Sequence, residues 1–167
     1  QSAHQCIGGD INFFATSKAY NTAGLGGAVA IIPDKNIRET FIKKTFGFFP
    51  MLTRHSIEVM QTSLTMSSDW MDSLLPYLRA NHDLLLDSIN SLPGLTMLPM
   101  EATYLAWICF DTNLHGDLQK RLFDAGLHVL RGDQFKGGDF IRLNFACPRV
   151  QLEKAIAIIQ QIVHAHH

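Results

Sequence analysis

Two apolar runs, Ile11 to Ala15 and Ala28 to Ile32, flank the small-residue stretch from Thr16 to Gly27. Short apolar runs bounded by turn residues read as strands. The second run is continuous, partly β-branched and closed by Pro33-Asp34, which is the pattern of a strand buried on both faces. Gly24, Gly26 and Gly27 permit unusual backbone angles or close chain approach between them. The chain is thereby committed to strand, turn, strand, with Lys18 delivered at the end of the first strand. A lysine enclosed there favours its neutral amine, and a neutral amine can condense with a carbonyl. The competing reading is an ordinary surface lysine before a turn.

Beyond Pro33 the pattern becomes helical. Asp34-Lys35-Asn36 opens a helix with Ile37, Phe41 and Ile42 on one face, broken at Gly47 and Pro50. A second helix runs from Thr53 to about Met66 with Ile57, Met60 and Leu64 at helical spacing. Ser68 reads as the N-cap of a third, which carries Trp70, Leu74, Tyr77, Leu78, Leu85 and Ile89 and ends at Pro93-Gly94. Pro76 falls inside it. Either the helix kinks there, losing a hydrogen bond at about 3 kcal/mol, or it starts later.

After Gly94 strands and helices mix. Leu95 to Leu98, Thr103 to Phe110, Leu127 to Leu130 and Phe140 to Ala146 read as strands. Asp117 to Ala125 is a short helix closed by Gly126, and Pro148 opens a last helix whose face is Leu152, Ile156, Ile159 and Val163. This part is expected to be a compact α+β layer, a small sheet covered by helices. A boundary is expected near the Gly47–Pro50 break: 1–47 a remnant of one α/β domain, 48–167 connecting helices and a smaller domain.

Composition narrows the function classes. With 167 residues, 47% of them hydrophobic, the chain can bury one real core or two small ones. Fourteen Lys and Arg against fifteen Asp and Glu leave no basic excess of the kind a nucleic-acid surface needs. Cys6, Cys109 and Cys147 are an odd set without a close pair, which suits a reducing compartment. No apolar run approaches membrane-spanning length, so a soluble cytoplasmic protein is expected. The histidines of the tail, His164, His166 and His167, with His4 and Cys6, lack a second closely spaced ligand pair, and no metal site is assigned.

Three separated segments carry a family resemblance, in order along the chain. Ser17-Lys18-Ala19-Tyr20-Asn21 with Gly24-Leu25 is similar to Ser-Lys-x-(Phe/Tyr)-Asn-x-x-Gly-Leu, the Schiff-base lysine segment of fold-type I pyridoxal-phosphate enzymes. Glu101-Ala102-Thr103-Tyr104-Leu105-Ala106-Trp107-Ile108 resembles the Pro-Glu-(Gly/Ala)-(Ser/Thr)-(Phe/Tyr)-x-x-Trp-(Ile/Leu)-Asp strand of their small domain, with Cys109 where Asp is usual. Gly132-Asp133-Gln134-Phe135, then Ile141-Arg142-Leu143-Asn144 and Cys147-Pro148-Arg149, resembles the Gly-x-x-Phe loop and Arg-x-Asn strand. Together they resemble the C-terminal half of a class I/II aminotransferase-like enzyme of the cystathionine β-lyase type.

That resemblance implies an α/β fold overall, pyridoxal phosphate as cofactor, an amino acid as substrate and a homodimer. It makes Lys18 the Schiff-base residue and the base that takes the Cα proton, with Ser17 and Tyr20 beside the cofactor; Tyr20 could equally pack. Arg142 would hold the substrate carboxylate through its planar fork. On spacing alone, a structural ion pair is an equal reading for it. Gly26 stands where many aminotransferases have a phosphate-contacting arginine, which leans toward the C–S lyase branch. The alternatives are an aminotransferase of the same fold and a domain that folds without cofactor.

Overall fold

The short apolar run after Ile11 does form a strand, and it pairs across the Lys18 turn as the chain order requires. The structure is a computed structural model that describes residues 11–25, 27–66 and 68–165. It divides into two compact units, Gln1–Asp72 and Ser73–His167.

In the first unit β1 (Asn12–Phe14) pairs antiparallel with β2 (Val29–Ile31), with Asn12 opposite Ile31, Phe13 opposite Ala30 and Phe14 opposite Val29. The expectation that the second run is buried on both faces is corrected. Val29 is 43% exposed and Ala30 is exposed, and only Ile32, just past the strand, is buried. The cause is topological: the ribbon has two strands, and apolar composition alone cannot tell a central strand from an uncovered one. Helix α1 (Lys35–Thr45) starts where the Asp34 carboxylate accepts the Ile37 amide at 2.8 Å. Arg38 ties it back by donating to the Ile32 and Pro33 carbonyls. Helix α2 (Arg54–Met66) is capped by Thr53, whose hydroxyl accepts the Ser56 amide at 3.1 Å.

Helix α3 (Ser68–Asn90) resolves the proline question: the helix neither starts late nor stops, and Pro76 lies within it. Ser68 is its first helical residue rather than its cap. Lacking an amide, Pro76 cannot bond the carbonyl four residues back, that of Asp72. The division between the compact units falls directly after Asp72, inside this helix.

The second unit is an α+β layer. Four antiparallel strands are ordered β3 (Leu95–Met97), β4 (Leu105–Phe110), β6 (Phe140–Asn144), β5 (Leu130–Arg131). Thr103 sits in the left-handed region (φ 68°) and its hydroxyl accepts the Leu105 amide, so β4 begins two residues later than the pattern suggests. A one-turn helix, α4 (Thr112–His115), follows β4; α5 (Leu118–Asp124) ends in a Schellman motif, with the Gly126 amide on the Phe123 carbonyl and the Leu127 amide on the Leu122 carbonyl. That cap takes Leu127 out of the expected strand, and β5 runs only over Leu130–Arg131.

One face of the sheet is the core. Ala106, Ile108, Phe110, Ile141 and Leu143 meet Leu85 and Ile89 of α3, Leu118 and Leu122 of α5, and all four predicted residues of α6 (Arg149–His164). Asn81 stitches this core polar end to end: fully buried, it donates through Nδ2 to the Phe145 and Cys147 carbonyls, both at 3.0 Å. Among the described residues no helix is long and apolar enough to cross a membrane.

Candidate functional site

Lys18 lies on the tight turn between β1 and β2. The Tyr20 amide donates to the Thr16 carbonyl at 2.9 Å and the Thr22 amide to the Ser17 carbonyl at 3.1 Å. Asn21 closes the turn at φ 53°, a conformation its short polar side chain tolerates. Thr16, buried, joins its hydroxyl to that of Thr22 at 3.3 Å. Gly27 (φ 117°) holds a backbone conformation that side chains rarely adopt, and a Cβ there would also sit 2.6 Å from the Met60 sulfur.

The lysine itself is exposed, which corrects the expectation of enclosure: nothing among the described residues covers it. Its amine takes part in no ion pair among them, so no carboxylate competes for it. Ser17 and Tyr20 are half-buried on the same turn. Tyr20 and Asn21 line a depression of about 340 Å³ with Ser63 and Trp70. Gly26 lies outside the described residues, as do His4, Cys6, His166 and His167.

The second group of expected residues belongs to the other unit, on the sheet face opposite the core. Arg142 stands directly across from Trp107 on β4 and from Leu130 on β5. Its guanidinium lies over the Phe135 ring, 4.2 Å from the centroid. Trp107 meets both Phe135 and Phe140 edge-on, at 5.5 and 5.8 Å between centroids. The structural ion pair is not what the chain contains: among the described residues Arg142 has no acidic partner. Cation–π contact satisfies the guanidinium's face while leaving its N–H groups free for a planar anion.

Phe135 reaches this position through a loop that only glycine permits. A Cβ on Gly132 would meet the Gly137 carbonyl oxygen at 1.9 Å and that of Phe140 at 2.5 Å. The loop closes on itself by the Gly137 amide donating to the Gly132 carbonyl at 2.8 Å. In the sequence Phe135 is marked only by the Gly-x-x-Phe spacing just ahead of the arginine strand, a pattern that assigns it no contact with Arg142. Cys109 is half-buried on the same face, opposite Phe140. Burial pushes the Cys147 thiol up from its ordinary range. Asn144 is used locally, its side-chain oxygen accepting the Ala146 amide at 2.8 Å. Arg149 contributes its backbone amide to the Tyr77 hydroxyl at 2.7 Å.

The chain therefore presents, on a braced turn, an amine without an ion pair among the described residues and, in its other unit, an arginine held on an aromatic floor. An amine without a carboxylate partner, next to a serine hydroxyl, fits an aldehyde-bearing phosphate such as pyridoxal phosphate.

Comparison with known proteins agrees with these features. Residues 13–159 match the family described as aminotransferase class I and II. The chain is 30% identical over 162 residues to Protein MalY of Escherichia coli, covering 89% of this chain and 40% of that protein. It is 28% identical over 153 residues to cystathionine beta-lyase PatB of Bacillus subtilis, covering 87% and 40%. A pyridoxal-phosphate-bound C–S lyase from Staphylococcus hominis superposes with a TM-score of 0.82 at 25% identity, over 95% of this chain and 43% of that one. The chain thus spans about 40% of the length of these curated relatives.

Proposed function

The chain belongs to the class I and II aminotransferase family, and from that premise we propose that it is the C-terminal part of a pyridoxal-phosphate-dependent C–S β-lyase acting on a sulfur amino acid. The observation that carries the reading is Lys18, an amine with no ion pair among the described residues, fixed on a hydrogen-bonded turn at the end of a strand. Residues 1–47 are read as belonging to the cofactor domain and 48–167 as connecting helices and small domain, in a homodimer.

Lys18 Nζ would bind the cofactor covalently, with Ser17 and Tyr20 beside it. The same Nζ, when free, would be the base that accepts the substrate Cα proton. Arg142 would hold the substrate carboxylate through two parallel N–H donors, orienting the Cα–H bond. Bound pyridoxal phosphate supplies the conjugated ring that delocalises the electron pair left on Cα.

The lyase branch is favoured over transamination by the relatives' names and by Gly26 in place of an arginine. An aminotransferase would use the same lysine and arginine, so a product assay decides. The complete protein incubated with cystathionine should release pyruvate and a free thiol without any keto-acid acceptor. Product formation only when an acceptor is present would contradict the lyase reading.

A further inference from the structure

Two side chains from outside the lysine turn take hold of its backbone, and neither is explained by packing alone. Ser56, in the first turn of α2, is 3% exposed, and its hydroxyl donates to the Leu25 carbonyl at 2.5 Å. The same hydroxyl meets that of Thr53 at 2.8 Å within its own turn, and its bond to Leu25 reaches thirty-one residues back along the chain. Trp70, near the start of α3, is half exposed, and its indole N–H donates to the Ala19 carbonyl at 3.3 Å. Ala19 is the residue that follows Lys18, and Leu25 ends the short 3-10 turn that follows it in the chain. The two donors therefore grip the segment on either side of Asn21, the residue whose left-handed backbone most needs support.

We propose that Ser56 and Trp70 are positioning residues, a two-point clamp on the Ala19 and Leu25 carbonyls that sets where Lys18 Nζ is presented. This rests on the Schiff-base reading of Lys18. Among the described residues no backbone amide outside the helices and strands donates to these two carbonyls, so the side-chain donors add two anchors to the bonds within the turn. Trp70 also lines the depression beside Tyr20.

The test uses the complete protein with Trp70→Phe, which keeps an aromatic ring and loses the N–H, and Ser56→Ala, with Ser56→Thr as the variant that restores a hydroxyl. Hydrogen exchange without cofactor is read at the Tyr20 and Thr22 amides, which report the turn itself. Both deletions should speed exchange there about fivefold while amides in the middle of α2 keep their rates, and Ser56→Thr should return toward the parent. With pyridoxal phosphate added, the pH midpoint of the visible cofactor band should shift in the deletions and not in Ser56→Thr. Unchanged exchange at Tyr20 and Thr22, or acceleration spread equally over α2, would overturn the clamp. Mapping the borohydride-reduced cofactor separates the two claims. Exchange as expected with no adduct on Lys18 supports the clamp and overturns the Schiff-base reading.

Discussion

Arg142 and Phe135 meet with the guanidinium carbon 4.2 Å from the ring centroid, and no carboxylate among the described residues competes for that arginine. The cation is thus supported without being neutralised. Arg142→Lys keeps the charge but loses the planar fork. In the complete protein kcat/KM for the amino-acid substrate should fall about 10- to 100-fold, the effect of a charge-assisted bond worth roughly 1.5–3 kcal/mol. Steady-state kinetics measure it, and an unchanged kcat/KM would remove Arg142 from substrate binding.

Gly132→Ala tests the loop that supplies Phe135. The added methyl would meet two backbone oxygens, those of Gly137 and Phe140, and backbone cannot step aside as a flexible side chain does. A loss of about 1–3 kcal/mol or more is expected, read from the denaturant midpoint. Parental stability would show that the loop is not closed as described.

Asn81→Leu tests the polar stitch of the second unit. It leaves the Phe145 and Cys147 carbonyls without their donor. At about 1–3 kcal/mol for each of the two orphaned groups, the expected loss is about 2–6 kcal/mol, with the transition slope unchanged. A shift of only a few tenths would mean that the amide is not the partner of those carbonyls.

Cys147 should alkylate sluggishly. Burial raises its pKa, so at about pH 8 it holds less thiolate than a free thiol of pKa near 8.5. The folded state binds this proton more tightly than the unfolded one. Its contribution to stability is therefore fully present below the unfolded thiol pKa and is lost as pH rises through the folded one. Iodoacetamide labelling across pH should place the Cys147 midpoint above that of a model thiol; a midpoint below it would contradict the burial argument.

Much of this molecule was legible in its sequence where one rule governs a long segment. The face of α6 could be read because Leu152, Ile156, Ile159 and Val163 repeat at the helical period over about three turns, and all four are buried. Gly126 and Pro148 marked helix ends because each has one backbone use there, and Gly126 does sit at φ 87°. What escaped was set by partners far along the chain or by very short elements. Helix α4 is a single turn, too short for periodicity, held by the Asp111 side chain on the Asn113 amide and by buried His115 donating to the Pro93 carbonyl. The exposure of β2 and of Lys18 depends on what lies over them, which an apolar run does not encode. At the candidate site, Lys18 and Arg142 were visible by motif. The floor under Arg142 was not, because Phe135 and Trp107 converge only through the register of β4 against β6 and a closed glycine loop.

The central claim is that Lys18 carries the cofactor. The direct measurement is borohydride reduction of the complete protein after incubation with pyridoxal phosphate, followed by peptide mapping. The account predicts one pyridoxyl group per chain, on the peptide containing Ser17-Lys18-Ala19-Tyr20, and none in Lys18→Ala. A pyridoxyl group on another lysine, or full labelling that survives Lys18→Ala, would contradict it.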